Sequence, residues 1–243
     1  MYVEKPETVK TFVTTLKRRA QLVAKADVVI APPFMLIPTL SQLVHKSKTI
    51  RLGAQCVSAC VEAKHTGDVS AKMLKVFGVS AVIVGHSERR SPPVGGGESD
   101  EVIREQIQRI HEVRMTAVLC VGESERDSHG AHFSVIERQL LQALKNKTVG
   151  KLVIAYEPVW AIGKTAGEAM QPADLQEMVI FIRKTLADIL GREVGVKVPI
   201  LYGGSVEGSN AKELLVSGGV GGFLVGHAST EVGSFIEILT AIV

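Results

Sequence analysis

Seven short apolar, β-branched runs, each followed by a helical pattern, constrain this 243-residue chain more than any other feature. The runs lie at residues 27–31, 49–54, 81–85, 116–121, 151–156, 198–203 and 222–226, and several read as unbroken apolar strings such as Ala-Val-Ile-Val from 81 to 84. Such segments suit strands buried on both faces, as in a parallel sheet. Between them, residues 6–25 place Val9, Phe12, Val13, Leu16 and Ala20 at helical spacing. Residues 98–113 do the same with Val102, Ile103, Gln106, Ile107 and Ile110, and residues 172–190 with Leu175, Met178, Val179, Ile182, Leu186 and Ile189. Pro6 and Pro172 stand where a first helical turn tolerates proline, because that turn's N–H groups have no internal partner. Shorter helices are expected near 70–77, 133–147, 210–217 and 232–242.

Strict strand–helix alternation implies right-handed crossovers and a parallel sheet. No Pro/Gly/Ser-rich linker interrupts it, so residues 1–243 are expected to form one α/β domain. One helix precedes seven strand–helix units, an α(βα)7 pattern. A closed eight-stranded (β/α) barrel would need one more strand before Met1. An open doubly wound sheet is the competing architecture. However, no Gly-x-Gly-x-x-Gly follows an early strand, and this many units exceeds most open sheets, so the barrel is favoured.

Composition narrows the function. Lys and Arg number 28 against 25 Asp and Glu, a net charge of +3, which argues against a nucleic-acid partner. No apolar stretch approaches the ~20 residues of a membrane span, and the first residues do not read as a signal peptide. Cys56, Cys60 and Cys120 form no disulfide framework, which points to a reducing cytoplasm. No metal site is expected: His129 and His132 share a polar turn expected to be exposed, with no third ligand near them in sequence.

Chemistry in either architecture sits at the C-terminal strand ends. Those ends carry Gln55, the string from Gly85 to Arg90, Gly122-Glu123, the string from Glu157 to Trp160, Gly203-Gly204-Ser205 and Gly226-His227. The two glycine-containing ends near the carboxyl terminus suit either tight turns or backbone N–H contacts to a phosphate. His86 beside Glu88 is a candidate functional histidine rather than a structural one. Glu157, held extended by Pro158, can aim into a barrel mouth as a general base, and Trp160 beside it would desolvate it; capping or ion pairing is the plainer alternative. Cys120, in an apolar strand, is expected to be a small buried hydrophobe. Residues 91–97, rich in proline and glycine, form a loop that can serve as a lid.

These residues resemble the triosephosphate isomerase family. The resemblance is carried by Val84-Gly85-His86-Ser87-Glu88-Arg89-Arg90, Ala155-Tyr156-Glu157-Pro158-Val159-Trp160-Ala161-Ile162-Gly163 and Tyr202-Gly203-Gly204-Ser205-Val206. Gly53-Ala54-Gln55, Cys120-Val121-Gly122-Glu123 and Gly222-Phe223-Leu224-Val225-Gly226 match in the same order. The resemblance implies a (β/α)8-type barrel that interconverts glyceraldehyde 3-phosphate and dihydroxyacetone phosphate without a cofactor. Glu157 would shuttle the proton and His86 would polarise the carbonyl as a neutral electrophile, a division of labour for which this family is itself the standard example. Glu88 would support His86. Pro158, Val159, Trp160, Ala161 and Ile162 would form a closing lid, with Tyr202 as its latch. Gly163, Ser205, Gly226 and His227 would contact phosphate. The loop from Gln55 to Gly67, with Thr66 near its tip, would insert into a second subunit of a homodimer.

The departures are informative. Family members begin with a strand ending Asn-x-Lys-Met, whereas Met1-Tyr2 stands just after that lysine, so the first strand and its two polar residues are expected to be absent here. The strand count agrees. Losing the lysine's charge would slow the reaction by ~10²–10³. Lys164, Arg89 and Arg90 are the candidate replacement cations. The lid tip after Gly163 is altered, and His227 stands where a second glycine is usual. The competing function is a catalytically impaired homologue that binds small phosphorylated ligands.

Overall fold

The apolar runs pair in chain order into one sheet, and its seven strands are parallel throughout. They are β1 (Val28–Ile30), β2 (Ile50–Ala54), β3 (Val79–Val84), β4 (Thr116–Val121), β5 (Leu152–Tyr156), β6 (Ile200–Tyr202) and β7 (Gly222–Phe223). This computed structural model describes residues 3–60, 65–92, 95–127, 129–145, 150–164 and 169–243. The helices are α1 (Pro6–Arg18), α2 (Ala20–Val23), α3 (Ile37–Val44), α4 (Ala71–Val76), α5 (Ser87–Arg90), α6 (Asp100–Glu112), α7 (Ala131–Leu144), α8 (Pro172–Leu190), α9 (Arg192–Gly195), α10 (Ala211–Val216) and α11 (Val232–Ile242). The sheet curls in the manner of a (β/α) barrel, with helices packed in sequence along it.

Local chemistry accounts for the helix starts. Pro6 and Pro172 occupy first-turn positions of α1 and α8, and the Ser70 and Ser99 hydroxyls accept N–H bonds from Met73 and Val102 to cap α4 and α6. The long helices bury most of the stripe their spacing anticipated, as α8 does with Leu175, Met178, Val179, Ile182 and Leu186, whereas Ala20 and Val102 of the expected stripes are exposed. Burying one such side chain stabilises the fold by about 1.5–3 kcal/mol before entropy is counted.

Four expectations are corrected. The helix expected over 6–25 divides at Arg19, whose φ of −106° and ψ of 35° leave helical geometry. The strand expected at 222–226 is only Gly222–Phe223, because the backbone then turns at Gly226, where φ is −83° and ψ is −103°. Helix α3 has no counterpart among the periodicity-based expectations, being short and preceded by a 3-10 turn at Phe34–Leu36. His132 is buried rather than exposed, its ring 4.2 Å from that of Phe133.

β1 and β7 are the edges of the sheet, and among the described residues no pairing joins them. The helical layer closes nonetheless. α1 packs against both α3 and α11, with the Phe12 and Phe235 rings 5.5 Å apart. No described helix is long and apolar enough to cross a membrane.

Candidate active site

Glu157 follows the last residue of β5, and its backbone is fixed on both sides. Its N–H donates to the Val121 carbonyl at 2.8 Å, and the Gly203 N–H donates to the Tyr156 carbonyl at 2.7 Å. The side chain is 2% exposed. Oε2 accepts the Ser87 N–H at 3.1 Å, and Oε1 lies 3.3 Å from Nε2 of His86. Burial pushes the Glu157 pKa above the usual carboxylate range, and His86, Ser87, Cys120 and Arg90 only partly offset it. The expected source of that burial is corrected: Trp160 donates its indole N–H to Glu123 at 2.9 Å, while Gly203 and Gly122 pack directly on Glu157.

His86 caps α5, its Nδ1 accepting the Glu88 N–H at 3.3 Å. An accepting Nδ1 carries no proton, so in the neutral ring the proton sits on Nε2, the nitrogen that faces Glu157. The Glu88 carboxylate is 4.0 Å from Nδ1 and mostly exposed. Beneath the pair, Arg90 binds the carbonyls of Gly85 at 2.8 Å and Cys120 at 3.2 Å and the Asp100 carboxylate at 2.6 Å, locking the ends of β3 and β4 together. Glu123 is buried and accepts the Tyr156 hydroxyl at 2.9 Å as well as Trp160.

The segment after Glu157 borders the cleft through Val159, Ile162, Gly163 and Lys164. Val159–Ala161 form a 3-10 turn, and Gly163 takes a left-handed φ of 72°. Ser205 ties this segment to the glycine wall, since its hydroxyl donates to the Ala161 carbonyl at 3.0 Å and accepts the Lys164 N–H at 3.0 Å. Behind it, burial pushes the Tyr202 hydroxyl pKa up to about 12, against a smaller pull from the Met170 N–H. A Cβ on Gly204 would fall 2.2 Å from that hydroxyl oxygen, so the wall needs glycine there.

His86, Glu88, Glu157, Val159, Ile162, Gly163, Ser205, Gly226 and His227 line one cleft of about 860 Å³. Pro158, Trp160, Ala161 and Tyr202 do not line it. Residues 93–94 of the expected loop after Arg90, residues 61–64 of the expected dimer loop and residues 165–168 of the lid tip lie outside the described residues. Sequence reasoning missed Gln139, whose side chain bonds both the N–H and the carbonyl of Gly122, at 2.9 and 3.0 Å. The available signal was a glutamine on the buried face of α7, between Ile136 and Leu140. Cys60, His65 and Asp68 bring potential metal-ligating atoms within 4.8 Å of one another, and none of the three lines the cleft.

A buried carboxylate beside a ring N–H, facing a glycine-walled cleft, is equipped to move a proton next to a carbonyl that the ring polarises. The model of the triosephosphate isomerase family matches residues 1–242. The triosephosphate isomerase of Fusobacterium nucleatum is 39% identical over 245 residues, covering 99% of this chain and 95% of that protein. That of Alkalilimnicola ehrlichii is 42% identical over 88% of this chain and 85% of its own length, and that of Rhodopseudomonas palustris 43% identical over 89% and 85%. Relatedness of this extent shows the family: the chain is an isomerase and belongs to the triosephosphate isomerase family.

Proposed function

We propose that the chain interconverts glyceraldehyde 3-phosphate and dihydroxyacetone phosphate with Glu157 as the proton shuttle and His86 as the electrophile. The observation that carries this assignment is the buried Glu157 carboxylate 3.3 Å from Nε2 of His86 at the cleft floor. The carboxylate removes a proton from the carbon next to the substrate carbonyl while the Nε2–H bonds the carbonyl oxygen, giving an enediolate. His86 then gives its Nε2 proton to the former carbonyl oxygen and takes up the proton of the neighbouring hydroxyl, and protonated Glu157 returns its proton to the carbon that carried the carbonyl. Ser87 holds Oε2, which leaves Oε1 beside the ring for this work. The exchange is redox-neutral and complete with these two side chains, so no cofactor is required. Glu88 holds the backbone N–H that fixes the His86 tautomer. Gly163, Ser205, Gly226 and His227 form the phosphate end, Pro158 to Ile162 the lid and Tyr202 its latch.

The test is steady-state isomerisation by the purified chain, with Glu157→Gln as background. A rate no greater than that background removes the assignment. His86→Asn, which keeps a polar group but not the ring, is expected to lower kcat by roughly 10²–10³.

The chain functions as one barrel domain in which, among the described residues, no strand pairs with the outer edges of β1 and β7. The closed α11–α1–α3 layer supports that reading. Appending a strand that ends Asn-x-Lys should raise kcat of these 243 residues by roughly 10²–10³, measured side by side. The loop from Gln55 to Gly67 mediates a homodimer of a cytoplasmic enzyme, which sedimentation of the wild-type chain and of a Thr66→Trp variant at its tip would check.

A further inference from the structure

A triose phosphate brings a dianion into a cleft that already holds three carboxylates. Glu88, Glu157 and Glu207 all line it. Among the described lining residues the permanent cations are Arg89 and Lys164. The Arg89 guanidinium is engaged: its Nε donates to Glu98 Oε1 at 2.7 Å, and a terminal nitrogen donates to the same oxygen. Arg90, the third cation considered from sequence, is held by Asp100 and two backbone carbonyls and does not line the cleft. Lys164 forms no ion pair among the described residues, and it is exposed.

Its position matters as much as its charge. The Lys164 N–H is 3.0 Å from the Ser205 hydroxyl, so its Cα is anchored at the Gly203–Ser205 wall and not at His86. A lysine ammonium is a point charge on a flexible four-carbon stem, suited to meeting a phosphate whose other oxygens face backbone N–H groups. The preceding Gly163, at a φ of 72°, turns the chain so that Ile162, Gly163 and Lys164 all face the cleft.

We infer that Lys164 is the cation that neutralises the substrate phosphate, a binding role for a lid residue at the wall opposite the proton-transfer pair. This rests on the functional reading above, because the ligand class comes from it.

The experiment compares wild type, Lys164→Ala and Lys164→Arg for kcat, KM and competitive inhibition by inorganic phosphate, and measures phosphate affinity by calorimetry. Lys164→Ala is expected to raise KM and the phosphate inhibition constant together by about tenfold, with kcat falling less, and Lys164→Arg to recover most of the loss. A fall in kcat with phosphate affinity unchanged would overturn the inference, since the ammonium would then act on the enediolate. Unchanged KM and phosphate affinity would overturn it as well. Should the wild type turn over no faster than Glu157→Gln, the isomerase reading fails separately. Calorimetric phosphate affinity then still decides whether Lys164 binds the anion: a tenfold loss in Lys164→Ala sustains it, and no loss ends it.

Discussion

Glu157→Gln is expected to lower kcat by roughly 10²–10⁴ and at the same time to raise thermal stability at neutral pH. The loss follows from removing, among the described residues, the only buried carboxylate that lines the cleft beside the Nε2–H of His86. The gain follows from the cause of its raised pKa. Glu157 is desolvated, and its partners do not repay the cost of its charge. The native state therefore holds this proton more tightly than the unfolded chain does. Between the ordinary glutamate value and the raised native one, the folded protein binds more protons, so stability falls as pH rises through that window. Above it the full penalty is present. Glutamine keeps the shape and can still accept the Ser87 N–H, but it has no charge to desolvate. Each kcal/mol recovered should lift Tm by about 2–4 °C in a chain of this size. The same raised pKa predicts the acid limb of activity: kcat/KM of the wild type should fall as pH drops through it, because only the carboxylate accepts a proton. Calorimetric scans of both proteins across pH, beside the pH–rate profile, check the linkage. A Gln variant that melts lower than wild type at neutral pH would show that the charge of Glu157 is well compensated in the fold.

The barrel topology and the floor of the cleft were legible in the sequence for one reason: both depend on local pattern. Strands buried on two faces read as apolar runs, and their C-terminal ends then identify His86, Glu157 and the Gly203–Ser205 turn without long-range information. What the pattern concealed were contacts between distant segments. Nothing around Trp160 distinguishes an indole that desolvates Glu157 from one that bonds Glu123, since that depends on how the ends of β4 and β5 meet. His132 looked solvated because a polar turn over residues 122–130 leads into it, yet α7 buries it, with its ring 4.2 Å from that of Phe133. The three candidate cations were equivalent on paper. Only the fold separates Arg89 and Arg90, held by carboxylates, from Lys164 at the cleft wall. Gln139 was concealed for a related reason, because its partner Gly122 lies 17 residues away and offers only backbone.

That glycine is the basis of the second large expectation. A Cβ on Gly122 would lie 1.8 Å from the carbonyl oxygen of Glu157 and 2.7 Å from its carbonyl carbon, distances that no rotamer change relieves. The backbone on either side is pinned. Glu157 N–H binds Val121, Val159 N–H binds Glu123 at 2.9 Å, and Gln139 grips Gly122 from behind with both ends of its amide. Gly122→Ala must therefore separate the ends of β4 and β5, at a cost of about 3 kcal/mol. It also displaces the Glu157 carboxylate, the proposed proton shuttle; a misplacement near 1 Å costs roughly 10²-fold in rate. Gly203→Ala is the informative contrast. Its Cβ would meet the Glu157 Cγ at 2.7 Å, a side-chain atom, so the strain passes into the carboxylate's position and not into strand pairing. Gly203→Ala should thus lose activity on the scale of Gly122→Ala while giving up only about 1 kcal/mol of stability. Urea unfolding and kcat for the pair decide the matter. If Gly122→Ala keeps wild-type stability, the β4–β5 junction is more yielding than its hydrogen bonds imply. If it loses stability but not rate, Glu157 is held by the Ser87 N–H rather than by the strand that carries it.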